Sequence, residues 1–237
     1  MALVAAAAFD AAHRHGDPEV RRENQAFYEY MVPLVKGYST EMSVEMASLG
    51  VQVHGGMGFI EETGAAQYLR DSRILPIYEG TTAIQANDLV GRKTARDGGR
   101  TPKAIAAQIA ATEGELATHD SPAAKAMARR LGAARLAFEE VVDFVAGNSK
   151  ASPNAVYAGS VPYLMLAGNL VAGWQMARAL LVAEDQLAKG EGDAAFLRAK
   201  VATAHFYADH LLAKAPGMRD SIVDGADSVT ALDLAAF

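Results

Sequence analysis

The hexapeptide Ile77-Tyr78-Glu79-Gly80-Thr81-Thr82 places one carboxylate in an otherwise uncharged segment of the chain. A glycine beside a carboxylate lets a ligand or another backbone approach closely, and burial would favour the protonated form of Glu79. These two features favour a general base at Glu79. The alternative is a loop in which Thr81 caps the following helix and Glu79 is solvated. The hexapeptide by itself leaves both interpretations open.

Two further motifs precede the hexapeptide within a short region. Residues 52–59 read Gln-Val-His-Gly-Gly-Met-Gly-Phe, and residues 68–74 read Tyr-Leu-Arg-Asp-Ser-Arg-Ile. Together with residues 77–81 they resemble the C-terminal helical domain of the acyl-CoA dehydrogenases. All three motifs have the order and separations found in that family, which is more specific than any motif alone. The chain is most similar to the longer bacterial members, which carry an additional helical extension.

The resemblance implies an all-α fold. It begins near residue 1 and fades around residue 97, so residues 1–97 correspond to the acyl-CoA dehydrogenase C-terminal helical bundle, incomplete at its N-terminus. Residues 98–237 form the extension, which we predict to be a second helical bundle. The pair Gly98-Gly99, shortly before Pro102, is the best candidate for a boundary between the two.

The resemblance also implies the roles of the residues around Glu79. Glu79 takes the α-proton of an acyl-CoA while the β-hydride passes to FAD, and its backbone N–H helps to polarise the thioester. Gly80 lies along the substrate, and Thr81 and Thr82 approach the flavin. An electron-transfer acceptor then reoxidises the flavin. Family members often carry a glutamine three residues after the glycine, where this chain has Ala83.

A second group of cofactor contacts is implied for the glycine turn. In the family, the segment equivalent to Gln52, Gly55 and Gly56 contacts the adenosine diphosphate portion of FAD bound mainly by a neighbouring subunit. The resemblance therefore implies a homo-oligomer with shared flavin sites. Because no alternating strand pattern is present for the family's β domain, we expect the chain to be a C-terminal fragment that is inactive alone.

Two other functions fit the same residues. An acyl-CoA oxidase of the same superfamily would differ in how fast its reduced flavin reacts with oxygen. A non-enzymatic assembly module would retain Glu79 as a vestige.

Composition limits the classes of partner. The chain has 237 residues, a net charge of −6 and no cysteine. The net charge argues against nucleic acid as a partner. The absence of cysteine excludes disulfides and thiolate metal ligands, and it is compatible with a cytoplasmic location. We predict no metal site, and no membrane span because the longest apolar run, residues 161–183, contains Asn169, Gln175 and Arg178.

Helix signals complete the predictions. Asp17 is expected to cap a helix that begins at Pro18, and Gly50 with the glycine cluster to end a helix containing Met42, Met46 and Leu49. We interpret those three side chains as core, as we do Trp174. The predicted helices span residues 2–15, 18–30, 35–49, 64–74, 82–97, 103–117, 122–145, 161–189 and 194–214.

Overall fold

The computed structural model describes residues 1–236, and within that range the chain is helical and contains no strand. The predicted all-α fold is therefore confirmed. The first six helices are α1 (Ala2–Arg14), α2 (Pro18–Pro33), α3 (Ser39–Val53), α4 (Gly56–Phe59), α5 (Ala65–Ser72) and α6 (Thr82–Asp88). The others are α7 (Arg100–Leu116), α8 (Pro122–Asn148), α9 (Pro153–Ala158), α10 (Ser160–Lys189), α11 (Ala194–His210), α12 (Ala215–Val223) and α13 (Ala226–Val229).

The helix starts follow the capping residues in the sequence. The side chain of Asp17 accepts a hydrogen bond from the backbone N–H of Glu19 at 2.8 Å, and Pro18 occupies the first turn of α2. Ser121 caps α8 and Asp193 caps α11 in the same way. A cap satisfies backbone donors that have no partner within the helix, which typically stabilises the fold by about 1 kcal/mol.

Several helix ends differ from the predictions, among them those of α3 and α11. The prediction that Gly50 ends α3 is wrong, because the helix continues to Val53 and the chain turns only at Gly55, with φ +59°. A glycine inside a helix costs about 1 kcal/mol relative to alanine, and the neighbouring turns of the helix are stable enough to offset this cost. The last long helix, α11, ends at His210, where residues 212–214 form a 3₁₀ turn.

Pro33 does not separate two helices. Instead, α2 runs into a π-helical segment, Leu34–Tyr38, which leads directly into α3. Proline lacks the N–H that the α-helical ladder requires, so a local change of helical pitch at this point has an identifiable cause. A second π-helical segment, Leu89–Ala95, follows α6.

The hydrophobic core is organised around α10, which buries 15 of its 30 residues. Trp174 is buried as predicted, and its indole N–H donates to the hydroxyl of Thr112 at 2.9 Å. Buried side chains from α2 and α6 belong to the same core cluster as those from α7, α8 and α10. The chain does break at Gly98-Gly99, where both φ angles are positive. The division into residues 1–97 and 98–237 stays a prediction.

No helix in the described part of the chain is long and apolar enough to cross a membrane. The longest apolar run, residues 161–183, lies within α10 at the centre of the core.

Two glycine substitutions test the packing of α10. A Cβ at Gly168 would lie 2.2 Å from Cγ of the Tyr38 ring, so Gly168→Ala is expected to lower the free energy of unfolding by about 1–3 kcal/mol. Gly114 lies in α7 with no heavy atom within 4 Å of the Cβ position. Gly114→Ala is therefore expected to raise the free energy of unfolding by up to about 1 kcal/mol. Urea unfolding followed by circular dichroism measures both, and equal effects would contradict the close contact at Gly168.

Candidate functional site

Glu79 lies in the loop between α5 and α6 in an unusual backbone conformation. Its φ is +50°, and among the described residues no other non-glycine residue has a positive φ. Gly80 follows with a φ of +92°. A left-handed conformation costs a residue with a side chain roughly 1–2 kcal/mol, so neighbouring contacts must hold the turn in place.

Hydrogen bonds fix the C-terminal side of this turn. The backbone N–H of Thr82 donates to the carbonyl of Pro76 at 3.2 Å, which closes the loop around Glu79. The hydroxyl of Thr81 accepts from the backbone N–H of Ile84 at 3.4 Å, so Thr81 is the N-cap of α6. The hydroxyl of Thr82 donates to the carboxylate of Glu41 on α3. The loop is therefore attached to both α6 and the first turn of α3.

The functional groups of Glu79 itself remain free. Its side chain is exposed, and within the described chain its carboxylate makes no hydrogen bond or ion pair. Its backbone N–H also donates to no group in that part of the chain. One residue thus carries an acceptor and a donor, and neither has a partner in the described chain. Neither of these groups is satisfied by the fold of this chain.

Gly80 is partly buried under the side chain of Gln85. A Cβ added at Gly80 would lie 2.7 Å from Nε2 of Gln85. Gln85 therefore covers one side of the glycine, while Ala83, the position where the family often has glutamine, is exposed. The positive φ favours glycine at this position, whereas the contact is with the mobile end of the Gln85 side chain, which can shift.

The glycine turn after α3 contains glycines with different physical roles. At Gly58 a Cβ would lie 2.2 Å from the carbonyl oxygen of Val51, so glycine is required for the turn to close. At Gly56 no heavy atom lies within 4 Å of the Cβ position, and φ is not positive. Gly55 adopts a φ of +59° and donates to the carbonyl of Gln52 at 3.0 Å. Of these residues, Gly56 is the one whose lack of a side chain has no explanation within the chain.

The structure does not bring the glycine turn and Glu79 together. The loop of Glu79 is attached to the start of α3 through Glu41, whereas Gln52, Gly55 and Gly56 lie at or just beyond its end. With a rise of about 1.5 Å per residue, these two points are roughly 20 Å apart. The implied substrate and cofactor residues therefore form two separate groups on one chain.

In the second motif, residues 68–74, a charged side chain stabilises the local structure. Arg70 on α5 donates two hydrogen bonds to Glu61, at 2.6 and 2.8 Å, and so holds the 3₁₀ turn Glu61–Thr63 against the helix. Asp71 accepts from Gln67 at 3.5 Å and is not paired with either arginine of the motif. The hydrogen bonds from Arg70, together with its charge, lower the pKa of Glu61.

The prediction that Met42, Met46 and Leu49 are core residues is wrong for this chain, because Met42 is only partly buried and the other two are exposed. Met46 and Leu49 are 54% and 50% exposed, and α3 has no buried residue. The helical periodicity of the apolar residues correctly predicts that α3 is a helix. It does not show whether other parts of this chain cover the apolar face. Of the 20 large hydrophobic side chains that are exposed in the described residues, ten lie between residues 46 and 84: Met46, Leu49, Val53, Met57, Phe59, Tyr68, Ile74, Ile77, Tyr78 and Ile84.

Two charged residues near the loop had no signal in the sequence. Glu41 contacts Thr82, and Lys36 contacts the residues just before Glu79. Both lie about 40 positions from their partners, and no local spacing rule connects residues at that separation. In the part of the chain that the structure describes, no group of three or more His, Asp or Glu side chains is arranged to hold a metal ion.

The ion pair of the second motif gives a test by pH titration. Since the pKa of Glu61 is lowered in the folded chain, its contribution to stability is present above the ordinary value of 4.5 and is lost as the pH falls through the folded pKa. Arg70→Gln is expected to raise the pKa of Glu61 towards 4.5, measured by NMR titration of the carboxyl carbon. Arg73→Gln is the control, and an equal shift in both variants would contradict the assignment to Arg70.

Two family models match the chain. The model described as "Acyl-CoA dehydrogenase, C-terminal domain" matches residues 1–93, and the model described as "Acetyl-CoA dehydrogenase C-terminal like" matches residues 103–233. The Gly98-Gly99 break lies between the two matches.

Curated proteins agree with the family models. The 3-methylmercaptopropionyl-CoA dehydrogenase of Ruegeria pomeroyi is 56% identical to the chain. The match covers 93% of this chain and 37% of that protein. The broad-specificity linear acyl-CoA dehydrogenase FadE5 of Mycobacterium tuberculosis is 35% identical. That match covers 88% of this chain and 35% of FadE5. A butyryl-CoA dehydrogenase of Syntrophomonas wolfei is 33% identical over 84% of the chain and 32% of its own length. The chain spans about a third of each relative's length, and it belongs to the acyl-CoA dehydrogenase family.

Proposed function

We propose that this chain supplies the catalytic base of a FAD-dependent acyl-CoA dehydrogenase, which oxidises an acyl-CoA to the 2,3-enoyl-CoA. The observation that carries the proposal is the state of Glu79. Glu79 is exposed, and neither its carboxylate nor its backbone N–H has a hydrogen-bond partner in the described chain, in a turn that costs free energy to form. An acceptor beside a donor suits the abstraction of a proton next to a carbonyl group.

The proposed chemistry uses both groups of Glu79. The carboxylate accepts the α-proton of the thioester, and the electron pair of that C–H bond becomes the new double bond as a hydride leaves the β-carbon. The backbone N–H donates to the thioester oxygen, which acidifies the α-carbon. When bound, FAD supplies the acceptor for that hydride. Proton, hydride and electron pairs are then all accounted for.

Neighbouring residues shape the substrate and cofactor sides of this site. Gly80 has no side chain to obstruct a substrate lying along the turn, consistent with substrate binding. The hydroxyl of Thr81 accepts from Ile84 within its own cap, so its hydrogen remains available to donate towards the flavin. The hydrogen of Thr82 is directed to Glu41, so Thr82 offers the flavin an acceptor or a backbone contact. Both contacts fit a flavin with polar ring edges.

The glycine turn is proposed to contact a different FAD molecule. Gln52, Gly55 and Gly56 are exposed, and neither Gly55 nor Gly56 has a heavy atom within 4 Å of the Cβ position, so a phosphate or ribose can approach the backbone. The turn lies roughly 20 Å from the point where α3 contacts the loop of Glu79. That separation supports a homo-oligomer in which each chain contributes to two flavin sites. The ten exposed apolar side chains in the same region support burial against other polypeptide.

Two consequences follow for the chain and its partners. Each of the two groups of residues would contact only one side of a flavin. We therefore propose that residues 1–237 alone bind FAD weakly or not at all and have no dehydrogenase activity. An electron-transfer acceptor is the proposed partner that reoxidises the flavin. The 56% identity to a 3-methylmercaptopropionyl-CoA dehydrogenase makes that thioester the first acyl-CoA to assay.

Replacement of Glu79 tests the proposed base. Glu79→Gln removes the carboxylate and keeps the shape of the side chain. In the flavin-loaded enzyme that contains this chain, it is expected to slow flavin bleaching by acyl-CoA by about 10²–10⁴-fold or more, with FAD still bound. Stopped-flow absorbance with a panel of acyl-CoAs measures the rate. Glu62→Gln, an exposed glutamate in the 3₁₀ turn, is the control. Bleaching at the wild-type rate in Glu79→Gln would place the base elsewhere.

Gly56 tests the contact of the glycine turn with FAD. Because this position is open within the chain, Gly56→Ala is expected to leave the thermal stability of the apo-protein unchanged. A methyl group placed against the cofactor is expected to weaken FAD binding by about tenfold, or 1.4 kcal/mol. The affinity is measured by fluorescence titration with FAD of the apo-form of the enzyme that contains this chain. Gly114→Ala in α7 is the matched control. Unchanged affinity in Gly56→Ala would remove the glycine turn from the proposed cofactor site.

A further inference from the structure

The residues just before Glu79 contact one charged side chain from a distant part of the sequence. The ammonium group of Lys36 donates to the backbone carbonyl of Leu75 and lies 4.8 Å from the centre of the Tyr78 ring. A hydrogen bond from a charged donor is stronger than one between neutral groups, and a cation over an aromatic face is attracted to it. Lys36 therefore fixes both the backbone and a side chain of the segment that leads into Glu79.

The backbone of Lys36 is itself held in place. It lies in the π-helical segment Leu34–Tyr38, next to Gly37, where a Cβ would lie 2.6 Å from Leu164 of α10. Tyr38 packs against Gly168 of α10, and its hydroxyl lies 3.2 Å from that of Tyr207 on α11. The π-helical segment thus has little freedom to move against α10. Such segments inside longer helices are frequent at functional sites because they change the direction of a side chain.

We propose that Lys36 is a positioning residue for Glu79, through its contacts with Leu75 and Tyr78; this inference rests on the proposed function. Residues with a side chain keep a positive φ only where their surroundings impose it. Glu41 and Pro76 hold the turn on its C-terminal side through Thr82, and Lys36 holds it on its N-terminal side. With both sides fixed, the backbone of Glu79 keeps the conformation from which its carboxylate and its N–H project.

The contacts that hold this turn can be followed back to α10 and α11. Helices α10 and α11 pack on the π-helical segment, the segment presents Lys36, and Lys36 contacts the loop of Glu79. The contribution that we propose for α10 and α11 is therefore to the position of the base.

The test is Lys36→Met in the flavin-loaded enzyme that contains this chain. Methionine preserves much of the aliphatic length and removes the ammonium group. The limiting rate constant of flavin bleaching by acyl-CoA is expected to fall about 10–100-fold, as small displacements of a catalytic group do, while the half-saturating substrate concentration and the FAD content stay the same. Lys36→Arg is expected to restore part of the rate. Lys93→Met, which removes a lysine of similar burial that pairs with Glu29, is the control and is expected to leave the rate unchanged.

A double variant separates positioning from general damage. If Lys36 acts through Glu79, Lys36→Met has no further effect on the residual rate of Glu79→Gln. An unchanged rate in the single variant, or an equal loss in the Glu79→Gln background, overturns the inference. If Lys36→Met does not retain FAD, the same criteria apply to Lys36→Gln. Wild-type bleaching in Glu79→Gln alone would overturn the proposed function instead, so the two failures are distinct.

Discussion

The contact between the ring of Tyr38 and the bare backbone at Gly168 decides how the first half of the chain sits on the second. At this point the ring of Tyr38, in the π-helical segment Leu34–Tyr38, lies so close to the backbone of α10 that no side chain fits at Gly168. Gly37 meets Leu164 in the same way one residue earlier. Protein interiors are as densely packed as organic crystals, so a contact of this kind fixes both partners. The position of α2, α3 and the loop attached to them follows from it.

Buried hydroxyl groups add direction to this packing. The hydroxyl of Tyr163 on α10 lies 3.0 Å from that of Tyr30 and 2.9 Å from that of Thr94, and all three residues are fully buried. Burial raises the pKa of Tyr163 to about 12, so its hydroxyl stays a neutral donor. A buried polar group without a partner costs roughly 1–3 kcal/mol, so alternative packings of α2 on α10 that separate these hydroxyls are disfavoured. Hydrophobic burial drives the association, and the hydroxyls select one arrangement.

Local signals in the sequence predicted much of the fold. Asp17 is a helix cap, Trp174 is buried, and α10 ends at Lys189, as expected. These features depend on a few adjacent residues or on helical periodicity, which the sequence displays directly. The end of α3 and the exposure of Met46 depend on what packs against them, which the sequence does not display.

The candidate site was predictable to a similar extent. The motif resemblance identified Glu79 and the glycine turn, and the N-cap at Thr81 followed from the residue types around it. The contacts that hold the loop come from Glu41 and Lys36, which are separated from it by about 40 residues. Such pairs arise only when α3 has been placed by α10. The separation between Glu79 and Gly56 likewise depends on the length of α3 as folded.

A physical conflict at Glu79 connects the fold to the proposed chemistry. Glycine would adopt the φ of +50° with little strain, yet this position carries a side chain. That side chain is exposed and makes no hydrogen bond or ion pair in the described chain, so it adds no visible stability in return for the strain. Positions where a sequence departs from local structural preference without a gain in stability are typical of functional sites. The fold of this chain thus supplies a reason for the turn and for Gly80, and it leaves the carboxylate of Glu79 to be explained by what the carboxylate does to a bound molecule.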